Sequence, residues 1–291
     1  MIQIIPSPPA LRRRPPDSHK GTYGHVFVLA GSAGMTGAAF LTTQSALRSG
    51  AGLVTLGVPR SLQPILASKL TCAITVALPE SPRRTFSSHE KEETARMIAN
   101  RYTCLAMGPG VSQDIDTKRL VLYLLQTVKL PTVLDADGIN VLPQHPTLLH
   151  EIGHDVILTP HPGEMARLTG LTTEEIQKDR QGIALDFAKT FRTILVLKGH
   201  RTLVTDGEKL FINPTGNPGM ATAGAGDVLT GMIAGLLVQG YSPFDSAVLG
   251  VYLHGLAGDI ARESKGEYAL IATDILDCLP RSFIRHGDTT K

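Results

Sequence analysis

One stretch, NPGMATAGAGDVLTG at residues 217–231, indicates the fold, because a loop of small residues leads directly into an apolar helix predicted over Val228–Val238. Gly224 and Gly226 let the backbone approach a ligand closely. The first N–H groups of a helix have no internal partner and the helix dipole is positive there, so the loop is suited to bind a phosphate group. Asp227 would lie beside that anion, where a carboxylate can accept the proton of a hydroxyl group that attacks phosphorus. The stretch therefore predicts phosphoryl transfer.

Other interpretations of the glycine motifs compete with this one. Gly-x-Gly-Asp is common, and an Asp near a helix start is more often a cap than a base. The chain contains neither a P-loop nor the protein-kinase motifs, which favours a phosphoryl-transfer fold of another kind. A second turn, with Gly31, Gly34 and Gly37, follows the first predicted strand, but its spacing is not that of a dinucleotide fingerprint. A Rossmann dehydrogenase is therefore disfavoured, although this turn lies where open α/β sheets bind ligands.

Short apolar runs alternate with longer amphipathic stretches from His25 onwards, which predicts an α/β fold: a central, mostly parallel sheet with helices on both faces. The predicted strands are near-continuous in apolar residues, as expected for strands buried on both faces. They are Val26–Ala30, Leu53–Val58, Thr103–Met107, Thr132–Leu134, Val156–Thr159 and Ile194–Leu197. The predicted helices are Ala38–Ser49, Lys91–Asn100, Lys118–Gln126, Glu174–Thr190 (with Thr172 and Thr173 as candidate caps), Val228–Val238 and Phe244–Ala261.

A small antiparallel hairpin is predicted for Thr202–Thr205 and Lys209–Ile212, because the intervening Asp206-Gly207 pair suits a tight turn. Residues 21–285 are expected to form a single domain. Residues 1–20 are rich in proline and arginine and are expected to form an exposed arm, and residues 286–291 a tail.

Composition excludes several classes of protein. Hydrophobic residues make up 42% and charged residues 19%, which is typical of a folded domain rather than a disordered one. The net charge of +2 gives no basic face for nucleic acid. The three cysteines have no zinc-ligand spacing. No apolar run is long enough to span a membrane and no signal peptide follows the N-terminal arginines, so we expect a cytoplasmic protein.

Polar side chains follow two further predicted strands. Asp135 and Asp137 come after Thr132–Leu134 and are placed to orient a polar substrate or a hydrated Mg²⁺ ion, although Asp137-Gly138 is equally typical of a turn. In Thr159-Pro-His161-Pro-Gly-Glu164, two prolines fix the backbone, which favours a site over a generic loop. His161 is a candidate substrate contact. Glu164 either acts on magnesium through water or simply stabilises the start of the next helix.

A third candidate segment is Lys198-Gly199-His200-Arg201-Thr202, which lies between two predicted strands. Its basic side chains are suited to nucleotide phosphates and its backbone to the edge of a ribose or base. A solvated, charged hairpin is the alternative.

Seven motifs, in this order, resemble the ADP-dependent NAD(P)H-hydrate dehydratase family over residues 18–285. They are Lys20-Gly-Thr-Tyr-Gly24, Gly31 to Gly37, Leu134-Asp135, Thr159 to Glu164, Leu197-Lys-Gly199, Asn213-Pro-Thr-Gly216-Asn217 and Gly224-Ala-Gly-Asp227. The resemblance implies a ribokinase-like fold, magnesium, and repair of (S)-NADHX and (S)-NADPHX, which are hydrated at C6 of the nicotinamide ring. It also implies a homotetramer.

Site residues follow from the same resemblance. Ala39, Gly110, His161 and Asp227 would contact the hydrated cofactor, and Lys198 to Thr202, Gly224 and Gly226 the adenine nucleotide. The chain departs from the commoner pattern at Ala223 and Ala225, where glycine and threonine are usual, so a hydroxyl contact from position 225 is not available. Asp227 is expected to deprotonate the C6 hydroxyl so that ADP or ATP can phosphorylate it and phosphate can leave.

The short N-terminal segment bears on a partner enzyme, and the Gly-x-Gly-Asp motif leaves one alternative function open. Residues 1–20 are too few for the epimerase domain that is fused ahead of the dehydratase in many bacteria, so we expect a separate NAD(P)HX epimerase. The alternative function is a small-molecule kinase of the same fold, acting on hydroxymethylpyrimidine or hydroxyethylthiazole, because Gly-x-Gly-Asp is suited to each of these reactions.

Overall fold

A computed structural model describes residues 2–145 and 147–289. Its centre is one ten-stranded sheet in the order β1-β10-β9-β8-β7-β6-β5-β2-β3-β4. The strands are β1 Gln3–Ile5, β2 His25–Leu29, β3 Leu53–Pro59, β4 Ile74–Leu78, β5 Cys104–Met107, β6 Thr132–Leu134, β7 Val156–Leu158, β8 Ile194–Leu197, β9 Leu203–Thr205 and β10 Lys209–Ile212. Only the β8–β9 and β9–β10 pairs are antiparallel. The predicted α/β class, its mostly parallel sheet and its hairpin are confirmed.

Twelve α-helices are present in the described residues. They are α1 Thr36–Arg48, α2 Gln63–Lys69, α3 Lys91–Arg101, α4 Ile115–Thr127, α5 Ala136–Ile139, α6 Leu148–Glu151, α7 Pro162–Thr169, α8 Thr173–Lys178, α9 Arg180–Phe191, α10 Ala225–Leu237, α11 Pro243–Lys265 and α12 Ala272–Thr289. No helix in this part of the chain is both long and apolar enough to cross a membrane.

Alternate residues of the strands pack on opposite faces of the sheet, as the pleat requires. Phe27 and Leu29 of β2 join a core with α3, α4 and α9, whereas Val26 and Val28 face a second core with α1, α10 and α11. A third apolar cluster lies outside the second core and joins α10 and α11 to α12. The sheet is therefore covered on both faces, and one of them carries an extra helical layer.

The bounds of several predicted helices differ from the observed ones, and two of these differences affect the region of the site. The predicted helix Glu174–Thr190 is two helices, because Asp179 leaves helical geometry (φ −137°, ψ 63°) and its side chain caps α9 by accepting the Gly182 N–H. Thr172 caps α8, as predicted. The helix predicted from Val228 starts at Ala225, so Asp227 lies within its first turn. The true start could not be recognised from the periodicity of apolar residues, because the glycines there add no apolar side chain to the pattern.

The N-terminal arm contains more structure than its sequence predicts. Gln3–Ile5 forms β1, which pairs in parallel with β10 at the edge of the sheet. Further on, the backbone N–H of Arg12 donates to the Tyr241 hydroxyl (2.7 Å), and the Arg14 guanidinium donates to Gly50 O (2.6 Å). Most of the arm's side chains are exposed, as predicted, but its backbone is bound. Three residues among prolines are too few for a strand to be recognised without its partner.

The predicted C-terminal tail is largely helical. Helix α12 continues to Thr289, and a ring nitrogen of the buried His286 lies 2.9 Å from Pro9 O of the arm. Residues 290 and 291 lie outside the described residues.

Candidate active site

The predicted site residues meet at the edge of the sheet where parallel strands end. Leu29, Met107, Leu134 and Leu158, the last residues of β2, β5, β6 and β7, lie in register with one another. The chain proceeds from β2 towards β3 in one direction and from β5 towards β8 in the other, so the order of strands reverses between β2 and β5. Such a reversal opens a crevice beyond the strand ends, which is where open α/β sheets bind ligands.

Helix α10 points its N-terminus at this crevice. Gly224 precedes the helix in the left-handed region (φ 90°), and a Cβ there would lie 2.6 Å from Leu41 Cδ1 and 3.0 Å from Ala272 Cβ. Only glycine combines this backbone angle with such close neighbours. The start of α10 is thereby packed against α1 and the start of α12, and no side chain of the described residues caps it. The Ala225 N–H donates to Thr222 O, which leaves the N–H groups of Gly226 and Asp227 available to an anion.

Asp227 lies in the first turn of α10 with its carboxylate unengaged. In the described part of the chain, that carboxylate has no hydrogen-bond or ion-pair partner, while the backbone carbonyl of Asp227 accepts the Thr42 hydroxyl (3.1 Å). Burial raises the pKa of Asp227 to about 7, with a further upward contribution from Asp135 and a downward one from Lys198. Asp227 is thus a carboxyl group close to half-ionised at neutral pH, as suits a general base. The alternative that it merely caps the helix is not supported.

Beside Asp227, three charged side chains form a buried network. The Lys198 ammonium lies 2.7 Å from Asp135 Oδ1 and 3.8 Å from Glu164 Oε2. The second oxygen of Asp135 accepts the Thr230 hydroxyl at 2.7 Å. A Cβ on Gly226 would lie 3.3 Å from Lys198 Nζ, so the missing side chain leaves room for the ammonium against the first turn of α10. The two carboxylates raise the pKa of Lys198 against the opposing effect of its burial.

Asp135 is predicted from the sequence to contact the substrate, but its geometry does not favour direct contact. Asp135 is 1% exposed, and both of its carboxylate oxygens are occupied by Lys198 and Thr230. Its neighbour Asp137 instead joins two loops of the site, since its carboxylate accepts the Ser112 N–H and the Gln113 amide, each at 2.9 Å. Asp135 is therefore a partner of Lys198 within this site.

His161 and Glu164 form a capping box at the start of α7. Nδ1 of His161 accepts the N–H groups of Gly163 (3.0 Å) and Glu164 (3.3 Å), and Glu164 Oε2 accepts the His161 N–H (2.8 Å). Burial lowers the pKa of His161, which agrees with a neutral imidazole accepting at Nδ1. Half of the His161 side chain remains exposed, whereas Glu164 is buried. His161 can therefore still contact a ligand, and the predicted helix-stabilising role of Glu164 is confirmed.

The residues present offer no protein cage for the expected magnesium ion. Within the described ranges, no three His, Cys, Asp or Glu side chains are placed to hold a metal. The carboxylates of Glu164 and Asp135 are already bound to Lys198. Mg²⁺ commonly binds through one or two carboxylates and the phosphates of a substrate while keeping several waters. The site fits an ion that arrives with a nucleotide and that Glu164 or Asp227 reaches through water.

The two small residues predicted to contact substrate differ in their exposure. Gly110 is half-buried in the left-handed region (φ 63°), and a Cβ there would lie 2.9 Å from the Cβ of Ala38. Ala39 is 0% exposed and packs beneath Gly31, where a Cβ would lie 2.8 Å from that of Ala39. The structure thus brings Gly110 to the surface of the site but not Ala39.

The predicted nucleotide loop, residues 198–202, follows β8 at the same sheet edge. Gly199, His200 and Arg201 are exposed, and Thr202 is half-buried with its hydroxyl donating to Gly199 O (2.9 Å). The side chain of Lys198 turns away from this loop towards Asp135. Residues 198–202, predicted as one binding segment, therefore have two separate positions. Residues 199–202 form a loop, and the ammonium group of Lys198 lies beside Asp227.

Two residues of the site carry weaker sequence signals. Thr230 is the polar side chain that follows Asp227 in the mostly apolar helix α10, and a buried hydroxyl needs a partner. Asp259 on α11 accepts the N–H of Gly216 (2.9 Å) and the Asn217 amide (3.0 Å), which holds the loop that leads into α10. Its partners lie more than 40 residues away in sequence, so no local pattern identifies them.

Curated relatives share this sequence over nearly its whole length. The bifunctional NAD(P)H-hydrate repair enzyme Nnr of Moorella thermoacetica is 49% identical over 93% of this chain and 51% of its own. The chain thus spans about half the length of several bifunctional relatives that it matches. The ADP-dependent (S)-NAD(P)H-hydrate dehydratase of Bacillus subtilis is 35% identical over 94% of each chain.

Solved structures share the fold. The ADP/ATP-dependent NAD(P)H-hydrate dehydratase of Bacillus subtilis, co-crystallised with ATP and Mg²⁺, superposes with a TM-score of 0.82 at 33% identity over 95% of each chain. A ribokinase-like superfamily protein of Enterococcus faecalis gives a TM-score of 0.80 at 27% identity over 94% of this chain and 91% of its own. A hydroxyethylthiazole kinase of Pyrococcus horikoshii gives 0.61 at 18% identity over 91% and 92%, which shows the fold alone. The ribokinase-like fold is confirmed.

The family comparison is more specific than the fold. The sequence profile of the NAD(P)H-hydrate dehydratases matches residues 26–281, which include every strand from β5 to β10 and the whole of α10. The chain therefore belongs to the NAD(P)H-hydrate dehydratase family.

Proposed function

We propose that this protein uses an adenine nucleotide to dehydrate (S)-NADHX and (S)-NADPHX to NADH and NADPH. The observation that carries the proposal is the unengaged Asp227 carboxylate, held with a pKa of about 7 at the open N-terminus of α10. Membership of the dehydratase family then selects the hydrated dinucleotide as the hydroxyl substrate.

Asp227 performs the first step. It accepts the proton of the C6 hydroxyl, and the oxygen attacks the terminal phosphorus of the nucleotide while the bond to the departing AMP or ADP breaks. Hydroxide is a poor leaving group, whereas phosphate leaves readily, with the lone pair of the ring nitrogen closing a C=N bond. Loss of the C5 proton then restores the dihydropyridine ring. The products are NADH or NADPH, inorganic phosphate and AMP, or ADP where ATP is the donor.

Lys198 and the start of α10 supply positive charge at the phosphorus. The ammonium lies beside Gly226, whose N–H belongs to the uncapped first turn of α10, so both would face the oxygens of the transferred group. Magnesium bound to the nucleotide would neutralise further phosphate charge, with Glu164 and Asp227 as the protein groups able to reach it through water. Charge stabilisation of this kind is the main contribution a protein makes to phosphoryl transfer.

The remaining contacts are assigned by position. His161 and Gly110 are partly exposed in the segments that follow β7 and β5, and they are proposed to contact the hydrated cofactor. The exposed loop Gly199–Thr202, with Gly224 and Gly226, is proposed to hold the adenine nucleotide. We also propose a cytoplasmic homotetramer that acts with a separate NAD(P)HX epimerase, which sedimentation of the purified protein and assays of the R and S epimers would test.

The decisive assay is recovery of NADH absorbance from chemically prepared (S)-NADHX with Mg²⁺ and either ADP or ATP. We expect recovery with at least one nucleotide, and a loss of about 10²- to 10⁴-fold in Asp227→Asn, the range for a positioned general base. Asp186→Asn, on the exposed surface of α9, is the matched control and should retain wild-type turnover. Phosphorylation of hydroxymethylpyrimidine or hydroxyethylthiazole without NADH recovery would assign the chain to the alternative kinase function instead.

A further inference from the structure

Arg180, which no part of the proposed mechanism uses, is bound to the backbone of the proposed nucleotide loop. It is the first residue of α9, and its guanidinium donates to three carbonyl groups around the end of β8. Nη2 donates to Leu197 O and Lys198 O, both at 3.1 Å, and Nη1 donates to His200 O. One side chain thus fixes three of four consecutive peptide groups.

This placement is electrostatically unfavourable for Arg180 itself. A cation at a helix N-terminus opposes the helix dipole. The side chain is half-buried, its burial lowers the pKa of the guanidinium, and its Nε has no hydrogen-bond partner in the described residues. The three hydrogen bonds to carbonyl groups compensate for these unfavourable effects. They hold the Arg180 side chain and the loop in a fixed position relative to each other.

The contacts also determine where the loop's N–H groups point. In a trans peptide the C=O and N–H groups point in opposite directions. Leu197 illustrates the effect, because its carbonyl faces Arg180 while the N–H of the same peptide, on Lys198, donates to Pro160 O on the other side (2.9 Å). By the same geometry, the N–H groups of Gly199 and Arg201 point away from α9.

The loop has a shape that depends on this anchor. Gly199 and Arg201 both have positive φ (128° and 52°), and a Cβ on Gly199 would lie 3.2 Å from Nη2 of Arg180. A non-glycine residue with positive φ is uncommon and needs support from its surroundings. The Arg180 contact to His200 O provides that support on the peptide that precedes Arg201.

We infer that Arg180 is a positioning residue for the adenine nucleotide: by holding the carbonyls of residues 197, 198 and 200, it directs the N–H groups of Gly199 and Arg201 towards the nucleotide. The inference rests on the proposed function, because that function places a nucleotide at this loop. Lysine cannot replace arginine here, since a single ammonium lacks the planar fork that reaches carbonyls of separate peptides.

The test compares Arg180→Lys with wild type by calorimetric ADP titration and by steady-state kinetics. Losing part of a charge-assisted contact should weaken ADP binding about tenfold and raise KM for ADP similarly, while KM for (S)-NADHX stays within about twofold. Arg119→Lys, on the exposed face of α4 with a single ion pair to Asp116, is the matched control and should bind ADP like wild type. Arg180→Ala should show the same selective loss if it folds.

The outcomes separate this inference from the proposed function. A lower Tm in Arg180→Lys with unchanged ADP affinity would make Arg180 merely structural and overturn the inference. ADP binding that is weakened in Arg180→Lys, in a wild-type protein that forms no NADH, would support the positioning role and refute the proposed reaction. A wild-type protein that binds no adenine nucleotide would overturn both.

Discussion

The ammonium nitrogen of Lys198 lies 2.7 Å from Asp135 Oδ1, although the two residues are 63 positions apart in the sequence. The pair is buried next to Asp227, whose pKa Lys198 lowers and Asp135 raises. Asp137 contributes a smaller upward effect. Burial is the main cause of the raised pKa of the proposed base, and two opposite charges that are held against each other adjust it in opposite directions.

Lys198→Met should therefore shift the acidic limb of the pH profile of kcat/KM to higher pH. Removing the cation leaves burial and Asp135 to raise the pKa of Asp227 above its present value of about 7. Asp135→Asn should move the same limb to lower pH, because it removes an anion. Rates over pH 5–9 measure both shifts. Shifts in the same direction for the two variants would contradict the arrangement described here. Lys198→Met should also lower turnover by about 10²-fold through loss of charge at the phosphorus.

Asp227→Asn should raise the stability of the protein at alkaline pH and leave it unchanged in acid. The pKa of Asp227 rises from 3.8 in the unfolded chain to about 7 in the folded protein, so folding favours the protonated form. The contribution of Asp227 to stability is complete below pH 4 and is lost progressively as the pH rises from 4 through 7. At 1.36 kcal/mol per pKa unit, the gain at pH 8 is about 2–4 kcal/mol. Urea unfolding at pH 3.5 and pH 8 measures it. Equal stability of the two proteins at pH 8 would mean that burial does not disfavour the ionised carboxylate.

Thr230→Val should destabilise the protein and impair catalysis, whereas Thr230→Ser should do neither to the same extent. Valine has nearly the shape of threonine but leaves Asp135 Oδ2 buried without its 2.7 Å donor. An unpaired buried acceptor costs about 1–3 kcal/mol. Serine keeps the hydroxyl. Thermal unfolding and NADH recovery of the two variants provide the comparison. If valine behaved like serine, the hydroxyl would have no part in holding Asp135.

Gly226→Ala should lower turnover by about 10- to 100-fold without loss of stability. The new Cβ would lie 3.3 Å from Lys198 Nζ and 3.8 Å from Asp135 Oδ2, so the ammonium has to move. Within a helix, alanine is favoured over glycine by roughly 0.5–1 kcal/mol, which offsets that shift in the folding balance. Gly153→Ala is the control, because its added Cβ meets nothing within 4 Å. A wild-type rate in Gly226→Ala would show that the position of the ammonium does not matter.

The central sheet was predictable from sequence because its strands are buried on both faces and therefore read as continuous apolar runs. β4 was missed, since it lies at the sheet edge with Ile74 and Ala77 exposed and lacks that pattern. β1 was missed for the same reason, because it forms the opposite edge of the sheet. The candidate site residues that follow the central strands could also be predicted from the sequence, because parallel strands bring their carboxyl ends to one edge of the sheet.

The partners of those residues could not be found in the same way. Sequence placed Asp135, Glu164 and Lys198 at one site but assigned them to substrate, metal and nucleotide. In the structure, Asp135 and Glu164 both form ion pairs with Lys198. These pairs depend on the directions of the side chains, which the spacing of residues along the sequence does not determine. Arg180 is an ordinary helical position by pattern, and only the path of the backbone after β8 shows what it binds.

The contact between Pro9 and His286 joins points 277 residues apart and brings the two ends of the chain together. The arm therefore lies against α12, and its first strand, β1, pairs with β10 at the edge of the sheet. Because the arm and α12 contact each other here, we expect these two segments to open together rather than separately. The start of α12 also packs against Gly224, which precedes α10. Local unfolding of α12 would therefore remove packing from both the arm and the start of α10.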